Sequence, residues 1–532
     1  MAIQAVDVRS KNGMVTSTQD LASRAGREIL LAGGNAVDAA VATALALCVV
    51  QPSSNGIAGY GGCMVIYLAG ENRVVAIDYN CRAPRAARAD MYEIDTGPGT
   101  GNWGEFPPVA NKANNFGPMA VSVPATIAGL SLAEKRYGKL GWAKVVEPAR
   151  RLAADGYTVY EGLPENIARF TETTDAVSAE ALFPDGKIPQ VGETWVQADL
   201  GRLIGVLAQD PDSFYTGAIA RRIADRVQSA GGILTEQDMA DYRCEVTEPM
   251  TLDYRGIRLN APPGVTGSPC TLETLAIMQK LSAEPRESED PKFWGDLADA
   301  LTLAWRDRIA FHGDVPDIEG KFSDLMSDEH ASAMAEIIRS GKVRTGAGGL
   351  DPSKETIHLC TCDADRNMVT LTQTHGGGWG TRFGIPGLGV VIGHGMSRFD
   401  PRPGLPNSPG PHKQPLNNMS PVILTVGGRL WGCVGLPGGR MIPAAVTSFI
   451  TGLVDFGMTP GESLSAPRIH TEAGPIAYSD NLPSGALDEI KARGHELRDE
   501  PRAIGGNASI IVLDGDGLIG AALAGPDASL GV

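Results

Sequence analysis

Apolar residues recur at i, i+4 spacing from Asp20 onward, where Leu21, Ala25, Ile29 and Leu30 predict one face of a helix. Gly33 and Gly34 end that helix, and Asn35 is placed to cap the next. The following run AAVATALALCVV, residues 39–50, is shorter than the ~20 apolar residues that span a bilayer, which predicts a buried helix. SSNGIAGYGG then reads as a loop. MVIYL and VVAIDY read as paired strands around GENR. Residues 129–241 carry mainly helical patterns, including LSLAEKRYG, VVEPARRLAADG and IARRIADRVQSAGG. TEPMTLDYRGIRLNAPP returns to strands turning at YRG, and residues 272–303 form a second helical block. A Gly-rich stretch, 341–354, reads as an exposed linker. Beyond it, TIHLCTCD and MVTLTQTH predict a hairpin turning at ADRN, and PVILTV with LWGCVGL another around GGR. Between the hairpins Pro401, Pro403, Pro406, Pro409, Pro411 and Pro415 describe either a stiff surface loop or a pocket wall. Strand pairs alternating with helix pairs predict a layered α+β fold with the helices outside.

The length of 532 residues allows two to four domains or one large unit, and 43% apolar content supports a sizeable core. A net charge of −16 argues against a nucleic acid partner, because phosphate binding draws on Lys and Arg. The first residues show neither an apolar core nor a cleavage site of a signal peptide, and the eight cysteines show no disulfide-scaffold spacing. These features predict a soluble cytoplasmic protein with no membrane partner.

Residues 354–362, KETIHLCTC, admit two chemistries. His358, Cys360 and Cys362 at spacing two are potential metal ligands or one face of a strand, with Ile357, Leu359 and Thr361 on the other. No second ligand motif accompanies them, and cysteine is commonly buried, so the strand is favoured and no metal is expected. His358 and Cys360 remain candidate catalytic groups. Thr356 offers a further chemistry. Were the bond before it cut, its free α-amine, with an ordinary pKa of about 7.7–8.0, could activate its own hydroxyl.

The chain resembles the γ-glutamyltransferase family of N-terminal nucleophile hydrolases along most of its length. GGNAVDAAVA, GIAGYGG, VPATIAGL, PDSFYTGAIARRIADRVQSAGGILTEQDMADY, DYRGIRL, QPLNNMSPVI and GLPGGR carry the resemblance in the family's order. It implies a four-layer αββα sandwich, no cofactor, and a proenzyme that cuts itself between Glu355 and Thr356. The cut would divide the chain into portions 1–355 and 356–532, which stay associated in one unit and leave room for a homodimer of processed heterodimers. TIH matches the nucleophile motif at Thr356. Thr374 matches the second Thr that hydrogen-bonds the nucleophile, and Gly438 and Gly439 match the oxyanion-hole glycines.

The donor site departs from the family pattern. Asn80 stands where the family has the Arg that grips the α-carboxylate, with Arg82 two places on. Arg398 replaces the Asp that takes the α-ammonium. Gly395 replaces a Gln, Gly376 an Asn, and Asn417-Asn418 a Ser-Ser pair. Arg398, Arg440 and Arg82 therefore point to an anionic group on the substrate. The expected activity is hydrolysis of a small non-glutamyl amide through a Thr acyl-enzyme, with water or an amine as acceptor. A true γ-glutamyltransferase or glutathione hydrolase is the alternative. A catalytically silent binding protein is disfavoured by the intact TIH, Thr374 and PGG.

Overall fold

The computed structural model describes residues 5–97, 106–343, 356–499, 506–524 and 528–532. Glu355 and most of the Gly-rich stretch lie outside them. The polypeptide forms two seven-stranded sheets. One runs in the order Ser529–Gly531, Met14–Ser17, Ile357–Cys362, Met368–Thr374, Gly61–Leu68, Arg73–Tyr79, Glu245–Thr247. The other runs Val8–Ser10, Gly517–Ala522, Ser509–Asp514, Arg429–Gly435, Val422–Val426, Ile257–Ala261, Met250–Tyr254. Every pairing in both is antiparallel.

The alternation read in IHLCTC is real and separates two environments. Ile357 and Leu359 join the core beneath helices Asp20–Leu31 and Ala36–Val50. Cys360 and Cys362 face the opposing sheet among Met14, Val65, Ile423, Leu430 and Cys433. Helices Ser268–Leu281 and Ile442–Val454 pack on the outer side of the second sheet through Leu272, Leu275, Val446 and Phe449. The layers are thus helix, sheet, sheet, helix. The mainly apolar run lies in a fully buried helix whose N-terminus is closed by an Asn35–Asp38 capping box.

The hairpin turns follow from local chemistry. Arg255 and Gly256 both have positive φ, 50° and 82°, as do Gly427 and Gly428, 56° and 80°, the pattern of two-residue hairpin loops. Asp363 fastens the hairpin of Ile357–Cys362 and Met368–Thr374 to the helical layer. Its carboxylate accepts the Ala36 N–H at 2.9 Å and both Asn367 donors, at 2.9 and 2.8 Å. The terminal strands, Val8–Ser10, Met14–Ser17 and the three beyond residue 508, carried no assignment in the sequence reading. Strands from before and after residue 355 interleave in both sheets, with Ile357–Cys362 sitting directly beside Met14–Ser17.

Candidate active site

Thr356 precedes the strand in which Ile357 pairs with Gln373, so it stands across from Thr374. Its hydroxyl donates to Thr374 Oγ1 at 3.2 Å, and the same oxygen accepts the Gly376 N–H at 2.8 Å. Gly376 has φ 97°, where a side chain is strained, and an added Cβ would lie 3.1 Å from the His394 carbonyl oxygen. The Gly376 carbonyl accepts a hydrogen bond from the buried Arg398 guanidinium, which lies 5.8 Å from the Tyr60 ring centroid. Arg398, Gly376, Thr374 and Thr356 therefore form one chain of contacts.

The loop after strand Arg73–Tyr79 meets the proline segment here. Asn80 Nδ2 donates to the Pro415 carbonyl at 3.1 Å, Tyr60 approaches the same oxygen at 3.5 Å, and Tyr242 donates to the Asn80 carbonyl at 2.9 Å. The proline segment is thus a packed wall at Pro415, although Pro403 and Pro411 are exposed. Burial pushes the neighbouring Asp78 carboxyl up; it accepts from Asn80 N and Gln414 Nε2.

Asn417 and Asn418 follow that wall and are both buried. Arg308, on helix Pro291–Phe311, reaches them from behind. It donates to the Thr266 carbonyl at 2.7 Å, the Asn417 carbonyl at 2.5 Å and Asn418 Oδ1 at 2.9 Å. Holding Oδ1 leaves the Asn418 amide nitrogen as the group offered elsewhere. The nitrogens of both amides make no hydrogen bond to another described residue.

Gly435 ends its strand against His358, where an added Cβ would fall 2.3 Å from the imidazole. From there the chain continues into Gly438, φ 153°, and Gly439, φ 60°, and then into helix Ile442–Val454. The turn therefore leaves from beside the strand that Thr356 enters. Its peptide N–H groups open a helix that no described side chain caps, an arrangement that favours developing negative charge.

Other sequence candidates take different places. Arg440 is fully buried and ion-paired to Glu472 at 2.9 Å, 5.0 Å from the Trp305 ring, so its charge already faces a carboxylate. Arg82 donates to the His412 carbonyl at 3.2 Å and lines a cleft of about 540 Å³ with Arg85, Tyr242 and Glu245. The Gly395 position has no room for a side chain, because an added Cβ would lie 2.3 Å from both Cys81 Sγ and Ser122 Oγ. His358 is held between Thr372 Oγ1 at 2.9 Å and Cys360 Sγ at 3.3 Å. These groups do not converge as a metal-ligand set among the described residues.

Three contributors were missed by the sequence reading: Arg308, His375 and His394. Burial lowers the His375 imidazole to about 4; burial, then Arg398, lowers that of His394 to about 3. Both rings are therefore neutral near pH 7. An available signal for Arg308 was its place on a helical stripe with Leu301, Ala304 and Trp305, where an apolar residue is expected.

The paired-sheet fold that carries this pair of threonines can be compared with known proteins. The family model described as gamma-glutamyltranspeptidase matches residues 22–527. The chain belongs to the γ-glutamyltranspeptidase family. It is 34% identical to the acylase ACY 1 proenzyme of Pseudomonas sp. (strain SE83), covering 96% of this chain and 91% of that one. It is 31% identical to the glutathione hydrolase proenzyme of Escherichia coli (strain K12), covering 95% and 89%. The crystal structure of cephalosporin acylase from Bacillus halodurans superposes with a TM-score of 0.86 at 29% identity, covering 99% of this chain and 97% of that one. That of Helicobacter pylori gamma-glutamyltranspeptidase gives 0.53 at 30% identity over 60% and 90%. As a γ-glutamyltranspeptidase-family protein, the chain is an N-terminal nucleophile hydrolase with the αββα fold, and its chemistry is that of a hydrolase or acyltransferase.

Proposed function

We propose that this family member is a self-processing amidohydrolase that acts on a small amide carrying a carboxylate and no neighbouring ammonium. Cleavage before Thr356 frees its α-amine, which takes the proton of its own hydroxyl. The oxygen attacks the amide carbonyl, and the Gly438 and Gly439 N–H groups receive the oxyanion. The amine product leaves with the proton, and water then cleaves the Thr356 ester. The interleaving of strands from both sides of residue 355 supports the two portions staying together.

Arg398 carries the substrate reading. It is buried, hydrogen-bonded to the Gly376 carbonyl, and three hydrogen bonds from the Thr356 hydroxyl. A guanidinium in a desolvated pocket attracts a carboxylate and repels an ammonium. The Asn417 and Asn418 amide nitrogens add neutral donors. Asn80, tied to Pro415, supplies no cationic grip for a glutamyl carboxylate. Relatives named as acylases support this reading, and those named glutathione hydrolases support the alternative of γ-glutamyl transfer or hydrolysis.

The test compares glutaryl-p-nitroanilide with γ-glutamyl-p-nitroanilide, which differ by the ammonium. The glutaryl compound should be the better substrate by roughly 10- to 150-fold, the equivalent of one charge-assisted contact. Arg398→Asp should reduce that preference, and adding Asn80→Arg should shift it towards the γ-glutamyl compound. Efficient wild-type turnover of the γ-glutamyl anilide, at kcat/KM above roughly 10⁴ M⁻¹s⁻¹, would establish the alternative.

A further inference from the structure

Behind the Asn417–Asn418 pair, three mutually packed helices bring together side chains that the reaction does not use. Glu273 comes from Ser268–Leu281, Asp307 from Pro291–Phe311 and His330 from Asp328–Arg339. His330 Nε2 lies 2.9 Å from Glu273 Oε1 and 3.4 Å from Asp307 Oδ2. One donor atom from each residue fits within 4.8 Å of the others.

Two further observations point to a ligand. The Glu273 side chain is fully buried, yet its Oε2 finds no hydrogen-bond partner among the described residues outside the cluster itself. Buried carboxylate oxygens ordinarily have a partner. The other two side chains each remain 20% exposed, so the cluster opens to solvent on the Asp307–His330 side. A desolvated wall, three donors from separate helices and an entry path are the features expected of a metal site.

We propose that Glu273, Asp307 and His330 bind a divalent first-row transition-metal ion, with Zn²⁺ as the ion of choice. One imidazole nitrogen and two carboxylate oxygens suit such ions better than an all-oxygen set would. Metal–ligand lengths of about 2.0–2.2 Å in a tetrahedron place ligand atoms roughly 3.4 Å apart. The His330–Asp307 spacing already has that value, and the His330–Glu273 spacing of 2.9 Å needs to open by about 0.5 Å. Water completes the coordination from the exposed side.

The ion's role is structural. It joins three helices at a point adjoining Arg308, next in sequence to Asp307 and hydrogen-bonded to Asn418. Metal occupancy therefore stiffens the support of the Asn417–Asn418 pair without touching the Thr356 oxygen.

The test uses the whole protein stripped with a chelator and dialysed. Titration with Co²⁺ should give a saturable visible spectrum at one ion per chain, displaced by one equivalent of Zn²⁺, and Zn²⁺ should raise the melting temperature. Asp307→Asn and, separately, His330→Gln should each weaken Zn²⁺ binding by roughly 100-fold. Two sites of substitution guard against one variant failing to fold. Absence of stoichiometric binding with Zn²⁺ in molar excess, or binding unchanged in a folded variant, would overturn the proposal and leave the cluster as a helix-joining ion pair. Neither result bears on turnover by Thr356, so the substrate reading stands or falls separately.

Discussion

Replacing Thr374 with valine removes one oxygen and keeps the shape of the side chain. Two hydrogen bonds go with it: the one accepted from Thr356 Oγ1 at 3.2 Å and the one accepted from Gly376 N at 2.8 Å. Thr374 is 3% exposed, so the Gly376 N–H loses its partner inside the protein, at about 1–3 kcal/mol of stability. The nucleophile loses an anchor worth ~0.5–1.5 kcal/mol, and misplacing a reacting oxygen can lower the rate by up to ~100-fold. The Gly376 peptide also holds Arg398 through its carbonyl, so a shift there should raise KM as well. The proposed processing before Thr356 would yield pieces of 355 and 177 residues, which a denaturing gel resolves. Thr374→Val should show delayed conversion, lower kcat and higher KM, and Thr374→Ser, which keeps the oxygen, should recover most of each. If the valine variant processes and turns over like the wild type, Thr374 does not orient the nucleophile.

Further outcomes follow from neighbouring groups. Thr356→Ala should remain one full-length chain and show no turnover; a wild type that works without being cut would exclude the α-amine mechanism. Arg308→Lys keeps a charge but loses the fork that holds Asn417 and Asn418. It should raise KM by roughly 10- to 150-fold with kcat nearly constant, and an unchanged KM in initial-rate assays would remove Arg308 as a positioning residue. His375 and His394 are buried neutral, lowered to about 4 and about 3, whereas the unfolded chain takes up their protons near pH 6.5. Stability from this source is complete above pH 6.5 and falls as pH drops toward 4 and then 3, by on the order of 3 kcal/mol for His375. The melting temperature of His394→Asn should therefore decline less steeply than that of the wild type below pH 6.5, and parallel curves would count against the buried neutral assignment.

Much of the fold was legible because its signals are local. Strand alternation in IHLCTC, the capped apolar run at residues 36–50 and the Arg-Gly and Gly-Gly hairpin turns each depend on neighbours in sequence. Val8–Ser10, Met14–Ser17 and Ser529–Gly531 were not read because they are short and pairing with distant partners, such as Val8 with Gly520, is what makes them strands, whereas Ser509–Asp514 and Gly517–Ala522 form a local hairpin whose signal was present in the sequence.

The candidate site divides in the same way. The hairpin that lays TLTQT beside TIHLC could be read from local pattern, because a short turn sets the register, while Thr356 and Thr374 were singled out within it by the family resemblance. The fates of the arginines could not, since a guanidinium's role depends on what lies opposite in three dimensions. Arg440 meets Glu472, Arg82 meets the His412 carbonyl, and Arg398 meets the Gly376 carbonyl beside the two threonines. Arg308 reaches Asn418 across 110 positions, and the Glu273–Asp307–His330 cluster joins three helices. Sequence by itself determined the strand chemistry and the nucleophile hairpin, whose interactions are near in the chain. Tertiary structure alone decided which buried charges face one another, because burial makes each charge depend on partners that folding brings from far away.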